Sequence, residues 1–127
     1  MNDYLFIKVE KNYYKLKLSE ILYIQAEKKY VNIVTATKSH LVLTSITQIE
    51  KLLPKGLFCR IHRSYIISLE HTSKFNCEFV YIENKKIPVS EHYKNVLKSS
   101  VIVLASGISA LKLDIGNIDE FLNNIGI

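Results

Sequence analysis

Three side chains that can bind an anion lie close together near the middle of the 127-residue chain. Arg60, His62 and Arg63 occupy three of four consecutive positions, and an apolar, β-branched run follows them. Arg60 and His62 alternate with Cys59 and Ile61, and this two-residue period predicts a strand with one buried and one solvent-facing side. The basic side chains would then be carried on a strand whose other side packs in the core.

The strand pattern breaks at Arg63 and Ser64 before an apolar strand predicted at residues 65–69. An arginine at such a break projects from the end of a rigid element. Its planar guanidinium fits a phosphate or the edge of a guanine, because both accept two parallel hydrogen bonds. The chemistry that this stretch permits is therefore contact with a phosphate or with the edge of a guanine.

Residues with catalytic or metal-binding chemistry occur elsewhere, but not in a recognisable arrangement. The chain has no Gly-x-Ser-x-Gly, no glycine-rich phosphate loop and no His-Glu-x-x-His. Cys59 with His62, and His71 with Cys77, have the ligand types of a zinc site but not its two tightly spaced pairs. Packing cysteines and surface histidines are the simpler interpretation. We therefore expect no enzyme, no metal and no cofactor, and we expect Cys59 to pack inward.

The charge of the chain is unevenly distributed. The net charge is +5, and residues 1–98 hold 16 Lys and Arg against 9 Asp and Glu, whereas residues 99–127 hold one Lys against three acids. A basic surface of this size favours polyanionic partners. Two cysteines without a Cys-x-x-Cys pair, no signal peptide and no long apolar run predict a cytoplasmic protein with reduced thiols and no membrane span.

Alternating or apolar runs predict ten short strands that hold these residues in place. An apolar run at residues 21–26 indicates burial on both sides, and Pro88 indicates an edge strand. Residues 11–13 are predicted to connect the first two strands. The predicted strands are residues 5–10, 14–18, 21–26, 30–35, 41–43, 58–62, 65–69, 72–75, 79–82 and 86–89.

A helix is predicted between the fifth and sixth strands. Ser45 begins a Ser-x-x-Gln capping box, and Ile46, Ile49 and Leu53 form one apolar stripe that Leu52 widens. Strands follow this helix, so the two adjacent helices of a helix-turn-helix are absent from the prediction.

Further short elements are predicted after the last strand. Ser90 is expected to cap a helix that runs to Lys98. Strands at residues 101–104 and 110–113 and a helix that Asn117 caps follow, and the helix has an apolar stripe that must be buried. We divide the chain into a domain at residues 1–98 and an extension at residues 99–127, of unknown role. We expect the extension to pack on the same domain, and the alternative is that its helix pairs with a second copy of the chain.

Four stretches in order resemble the LytTR DNA-binding domain, the output module of many bacterial response regulators. Residues 58–69, Phe-Cys-Arg-Ile-His-Arg-Ser-Tyr-Ile-Ile-Ser-Leu, resemble its signature. The others are residues 21–31, the helix end at residues 50–54 and the last strand at residues 86–90. The resemblance covers about residues 4–98. It implies a mainly β (α+β) fold with about ten short strands in small antiparallel sheets and one or two short helices, here followed by a C-terminal strand and helix.

In that family, loops at one edge of the fold enter the major groove of DNA. The resemblance implies contacts from three loops here, with Lys28 and Lys29 on phosphates, Arg63 on a guanine edge and Arg60 as a brace or backbone contact. Glu91 stands where the family usually has a basic residue. The third contact therefore shifts to His92, changes its base preference or is lost. The DNA-binding residues implied are Lys28, Lys29, Tyr30, Arg60, His62, Arg63, Ser64, Ser90, Glu91 and His92.

The resemblance also implies an upstream receiver domain and two protomers on imperfect direct repeats of double-stranded DNA. Two alternatives remain open at this stage. One is a β-rich protein-interaction module whose basic face is incidental. The other is binding of RNA or single-stranded DNA through the eight tyrosines, although we expect most of these to face the core.

Overall fold

The computed structural model describes residues 3–106. Within that range the chain forms ten strands, two α-helices and two 3-10 turns, the latter at Leu18–Glu20 and Glu91–Tyr93. The mainly β fold is therefore confirmed. The elements are β1 Tyr4–Val9, β2 Asn12–Lys17, β3 Ile21–Glu27, β4 Tyr30–Thr35, β5 Ser39–Leu43, α1 Ile46–Leu52, β6 Phe58–His62, β7 Tyr65–Ser68, β8 Thr72–Phe75, β9 Phe79–Ile82, β10 Lys85–Pro88 and α2 Lys94–Ser99.

The strands form three antiparallel sheets. The largest has the order β5-β4-β3-β7-β6, β1 pairs with β2 as a separate hairpin, and the third sheet has the order β10-β9-β8. Pro88 lies on β10, at the edge of the third sheet, as its missing N–H requires.

The five-stranded sheet is covered on both faces by separate hydrophobic clusters. Ile24 of β3 packs with the hairpin and α1, whereas Leu22 packs with the three-stranded sheet and α2. Burial of β3 on both sides is thus confirmed. The prediction that β6 has a solvent-facing side is wrong, because Phe58 is buried in the first cluster while Cys59 and Ile61 are buried in the second.

Helix α1 begins as predicted, since the Ser45 hydroxyl accepts a hydrogen bond from the Gln48 amide at 3.1 Å. Ile46, Ile49 and Leu53 are buried. Leu52 does not widen this stripe, because its side chain is 82% exposed. Leu52 lies about 60° further round the helix than Ile49, and it lines an open groove between α1 and the β1–β2 hairpin instead.

Two hairpin connections are tighter than predicted. Val9 pairs with Asn12, so the first connection is the two residues Glu10 and Lys11 rather than residues 11–13. Glu27 pairs with Tyr30, so the second connection is only Lys28 and Lys29. Glu10 and Lys28 have φ values of 58° and 57°, a left-handed conformation that allows the chain to reverse within two residues.

The strand predicted at residues 101–104 is wrong, because these residues follow α2 without strand structure. The side chains of Ile102 and Leu104 are almost fully exposed. A β-branched run becomes a strand only beside a partner that accepts its hydrogen bonds, and the described residues provide none here. The strand predicted at residues 110–113 and the helix that Asn117 was predicted to cap lie outside the described residues. The division at residue 98 stays a prediction.

Candidate nucleic-acid interface

The three segments proposed to contact DNA lie side by side at one end of the five-stranded sheet. The Ala26 amide, just before the β3–β4 turn, donates to the Ser64 carbonyl of the β6–β7 turn at 2.9 Å. The Ser90 amide, at the start of the 3-10 turn, donates to the Ile61 carbonyl at 3.0 Å. Backbone hydrogen bonds therefore connect the β6–β7 turn to the end of β3, and the third segment to the end of β6.

The β3–β4 turn presents three exposed side chains, Lys28, Lys29 and Tyr30. Neither lysine forms an ion pair with another described residue. The left-handed Lys28 fixes the direction of the turn, and the Glu27–Tyr30 pair closes it. The arrangement holds two unpaired positive charges at the end of a rigid hairpin.

Arg63 and Ser64 form the β6–β7 turn. The Arg63 side chain is exposed and makes no hydrogen bond to the described part of the chain, whereas its carbonyl is held by Arg60. Both backbone polar groups of Ser64 are also engaged, the amide with His62 and the carbonyl with Ala26. The backbone of the turn is fixed while the Arg63 guanidinium remains free to bind a ligand.

Arg60 holds this turn from inside the fold. Its Nε donates to the His62 carbonyl at 2.9 Å and its Nη2 to the Arg63 carbonyl at 2.6 Å. Its Nη1 forms a 2.8 Å ion pair with Glu50 of α1, and its guanidinium lies 5.9 Å from the centre of the Tyr93 ring. Because the Arg60 side chain is only 10% exposed, its geometry fits the bracing alternative rather than a DNA contact.

His62 combines a structural bond with a free ring nitrogen. Its Nδ1 accepts the Ser64 amide at 3.0 Å, so the neutral ring carries its proton on Nε2. Burial lowers the pKa of His62 from 6.5, and the positive charges of Arg63 and Arg60 lower it further. No described residue accepts a hydrogen bond from Nε2, so this N–H is available to an acceptor on a ligand.

The third segment contains Ser90, Glu91 and His92. The Ser90 side chain does not cap the turn, contrary to expectation, because its carbonyl accepts the Tyr93 amide instead. Glu91 forms a 2.7 Å ion pair with Lys94, which offsets its negative charge. His92 is exposed, and its ring meets the edge of Tyr93 at 4.9 Å. Among the described residues neither the Ser90 hydroxyl nor the His92 ring forms a hydrogen bond, so both side chains can meet a ligand.

Sequence reasoning missed Glu50 and the pairing of Lys94. The spacing of Glu91 and Lys94, three residues apart on a helical segment, was an available signal for the second. Nothing in the sequence connects Glu50 with Arg60, since ten residues and a change from helix to strand separate them.

The prediction that most of the eight tyrosines face the core is also wrong. The exposed ones are Tyr4, Tyr13, Tyr14 and Tyr30. The strand period does not show which sheet face remains uncovered.

In residues 3–106 no group of three or more potential ligand side chains is arranged to hold a metal ion. Nor does any helix in that range have the length and apolar character that crossing a bilayer requires.

The family model of the LytTr DNA-binding domain matches residues 11–102. Because the match covers well over half of the chain, this protein belongs to the LytTr DNA-binding domain family, and the resemblance seen in the sequence is confirmed. This is a family of DNA-binding domains rather than of enzymes.

The relatives of this chain include the sensory transduction protein LytT of Bacillus subtilis (strain 168). It is 35% identical over 85 residues, which cover 62% of this chain and 35% of that protein. The protein of the same description from Bacillus anthracis is 28% identical over 100 residues, covering 74% of this chain and 41% of that protein. The chain thus matches well under half the length of these relatives.

A solved structure shares the fold. It is the LytTr DNA-binding domain of a protein described as a methyl-accepting/DNA response regulator from Bacillus cereus. The TM-score is 0.68 at 22% sequence identity, and the match covers 79% of this chain and 97% of that one. The likeness extends over almost the whole of the solved domain.

Proposed function

We propose that this chain reads specific sequences of double-stranded DNA through its β3–β4 turn, its β6–β7 turn and the segment at residues 90–92. The observation that carries the proposal is the free Arg63 guanidinium on a turn whose backbone is fixed by Arg60, His62 and Ala26. A rigid turn with one unpaired arginine suits the major groove, where guanine presents two acceptors that the guanidinium can bind together.

The side chains around Arg63 would have different roles. Lys28 and Lys29 lie on the neighbouring turn and suit phosphate contacts, which fix the register of a protein on DNA. The Ser64 hydroxyl and the Nε2–H of His62 can donate to phosphate or base acceptors. On the third segment, His92 takes the contact, because the carboxylate of Glu91 is already paired with Lys94.

We further propose that the domain is the output module of a cytoplasmic two-component response regulator. The descriptions of its relatives, sensory transduction and response regulatory proteins, support this role. A receiver domain elsewhere in the full protein would then control the pairing of two protomers on imperfect direct repeats.

The test is selection of sites from a random duplex-DNA library, with Arg63→Ala and Arg63→Lys in parallel. We expect the wild-type chain to enrich a repeated motif. Arg63→Ala should lose about 1–3 kcal/mol at one position of that motif, and Arg63→Lys should bind with reduced discrimination because it keeps the charge without the planar fork. Lys38→Ala, in the turn at the opposite end of β4, is the control for loss of a positive charge.

Two results would contradict the proposal. If Arg63→Ala enriches the same motif with the same affinity as the wild type, Arg63 does not read a base. If the wild type enriches nothing and its binding to duplex DNA does not weaken with salt, a protein-interaction role for the domain becomes the better explanation.

A further inference from the structure

The geometry points to Glu50, on α1, as a positioning residue that sets the base preference of the domain through Arg60. This inference rests on the proposed function, since it concerns how the β6–β7 turn is presented to DNA. Glu50 itself is separated from the turn by Arg60, whose guanidinium occupies the space between them. We place no contact between Glu50 and DNA.

Each of the three nitrogens of the Arg60 guanidinium donates a hydrogen bond to a separate group. Nε and Nη2 donate to the carbonyls of His62 and Arg63, and Nη1 donates to the Glu50 carboxylate at 2.8 Å. Because the group is rigid and planar, its three nitrogens move together, and the three hydrogen bonds jointly fix its orientation. The hydrogen bond to Glu50 is therefore one of the three that set the orientation in which Arg60 meets the carbonyls of His62 and Arg63.

Glu50 can act in this way because its helix is anchored. Ile46 and Ile49, on the buried side of α1, belong to the hydrophobic cluster that also contains Ile66 of β7. The carboxylate is therefore carried on an element packed against the same sheet that carries the turn. The ring centre of Tyr93, the residue that follows the third segment, lies 5.9 Å from the same guanidinium.

The ion pair between Arg60 and Glu50 also gives different roles to the only two arginines in the sequence. The charge of Arg60 is compensated by Glu50, whereas the side chain of Arg63 has no partner among the described residues. Without Glu50, Arg60 would carry an uncompensated charge beside the turn and could turn toward a DNA phosphate. The carbonyls of His62 and Arg63 would then lose their donors, and the turn would no longer hold Arg63 in a fixed position relative to a base.

The experiment compares Glu50→Ala and Glu50→Gln with the wild-type chain, and uses Glu70→Gln as a matched control. Glu70 is an exposed carboxylate with no ion pair in the described residues. Glu70→Gln therefore removes the same charge as Glu50→Gln without changing a partner of Arg60. The first readout is the ratio of affinities for the selected site and for random duplex. The second is the NMR shift and exchange rate of the Ser64 amide proton in the DNA-free chain.

We expect Glu50→Ala to lower the affinity ratio by roughly threefold to tenfold, the range for a charge-assisted hydrogen bond to a carboxylate that is partly exposed to solvent. Affinity for random duplex should rise slightly or stay constant, because a negative charge is lost. Glu50→Gln should have a smaller effect, since its amide oxygen still accepts from Nη1. The Ser64 amide should shift and exchange faster in both variants, and Glu70→Gln should leave the ratio and the amide unchanged.

A merely structural role predicts a different pattern. In that case Glu50→Ala lowers the unfolding temperature, while the ratio, measured well below that temperature, and the Ser64 amide stay as in the wild type. This pattern would overturn the inference. If the wild type itself shows no preference for any duplex sequence, the proposed function fails. The NMR shift and exchange rate of the Ser64 amide proton then show by themselves whether Glu50 positions the turn.

Discussion

Replacing Lys28 with glycine should make the domain more stable and at the same time a weaker DNA binder. Lys28 has a φ of 57°, in the left-handed region that costs a residue with a Cβ about 1–2 kcal/mol. Glycine removes this cost but loses about 0.4–1 kcal/mol through the greater freedom of the unfolded chain. The exposed lysine has no ion pair to lose within the described residues. The middle values of these two ranges, about 1.5 kcal/mol gained and about 0.7 kcal/mol lost, give a net gain of about 0.8 kcal/mol.

Two assays measure the two halves of this prediction. Urea unfolding should give a higher midpoint with an unchanged dependence on denaturant, and for a domain of about 100 residues the melting temperature should rise by about 2–8 °C. Titration of duplex DNA at several salt concentrations should give a log–log slope that is smaller by roughly one, because one phosphate contact is lost.

Each half has its own control. Glu83 has a φ of 50° in the β9–β10 turn, so Glu83→Gly should give a similar gain in stability without reducing the salt slope. Lys38→Ala removes a lysine from the far end of β4 and should change neither quantity by much. A Lys28→Gly variant that is no more stable than the wild type would refute the strain argument, and an unchanged salt slope would refute the phosphate contact.

Three further predictions concern the residues behind the interface. Arg60→Ala should lower the free energy of unfolding by about 2–4 kcal/mol, because it leaves two turn carbonyls and Glu50 without their donor, and a loss below about 0.5 kcal/mol in urea unfolding would contradict this role. The unfolded chain binds a proton at His62 more tightly than the folded chain, so stability should fall as the pH drops below about 6.5. The difference between wild type and His62→Gln isolates this dependence from the other histidines, and a difference that is constant with pH would refute it. Burial raises the pKa of the Cys59 thiol, whereas Cys77 is exposed; a thiol reagent should therefore label Cys77 quickly and Cys59 only on unfolding, and rapid labelling of both in the native chain would contradict the burial of Cys59.

Much of the fold follows from local patterns in the sequence. The bounds of β4, β8 and β9 agree with the prediction residue for residue, because alternation and turn residues both mark their ends. The start of α1 was predictable for the same reason, since the hydroxyl of Ser45 satisfies a backbone amide that a helix leaves unpaired.

The predictions that were wrong concern residues whose structure depends on contacts with distant parts of the chain. Residues 101–104 have the composition of a strand but no neighbouring strand among the described residues, and Leu52 has the position of a near-core residue but no element over it. Arg60 and Arg63 are the same residue type three positions apart. Their different situations depend on Glu50, which only the folded structure brings to one of them.

The hydrogen bonds that tie the three segments together have a consequence for the thermodynamics of binding. A turn whose backbone is already bonded to its neighbours loses little conformational entropy when a ligand arrives. Recognition by this domain should therefore require little folding on association, and calorimetry should show only the modest decrease in heat capacity that comes from surface burial. Most of the ordering would fall on a few exposed side chains, Arg63 and the lysines of the β3–β4 turn among them.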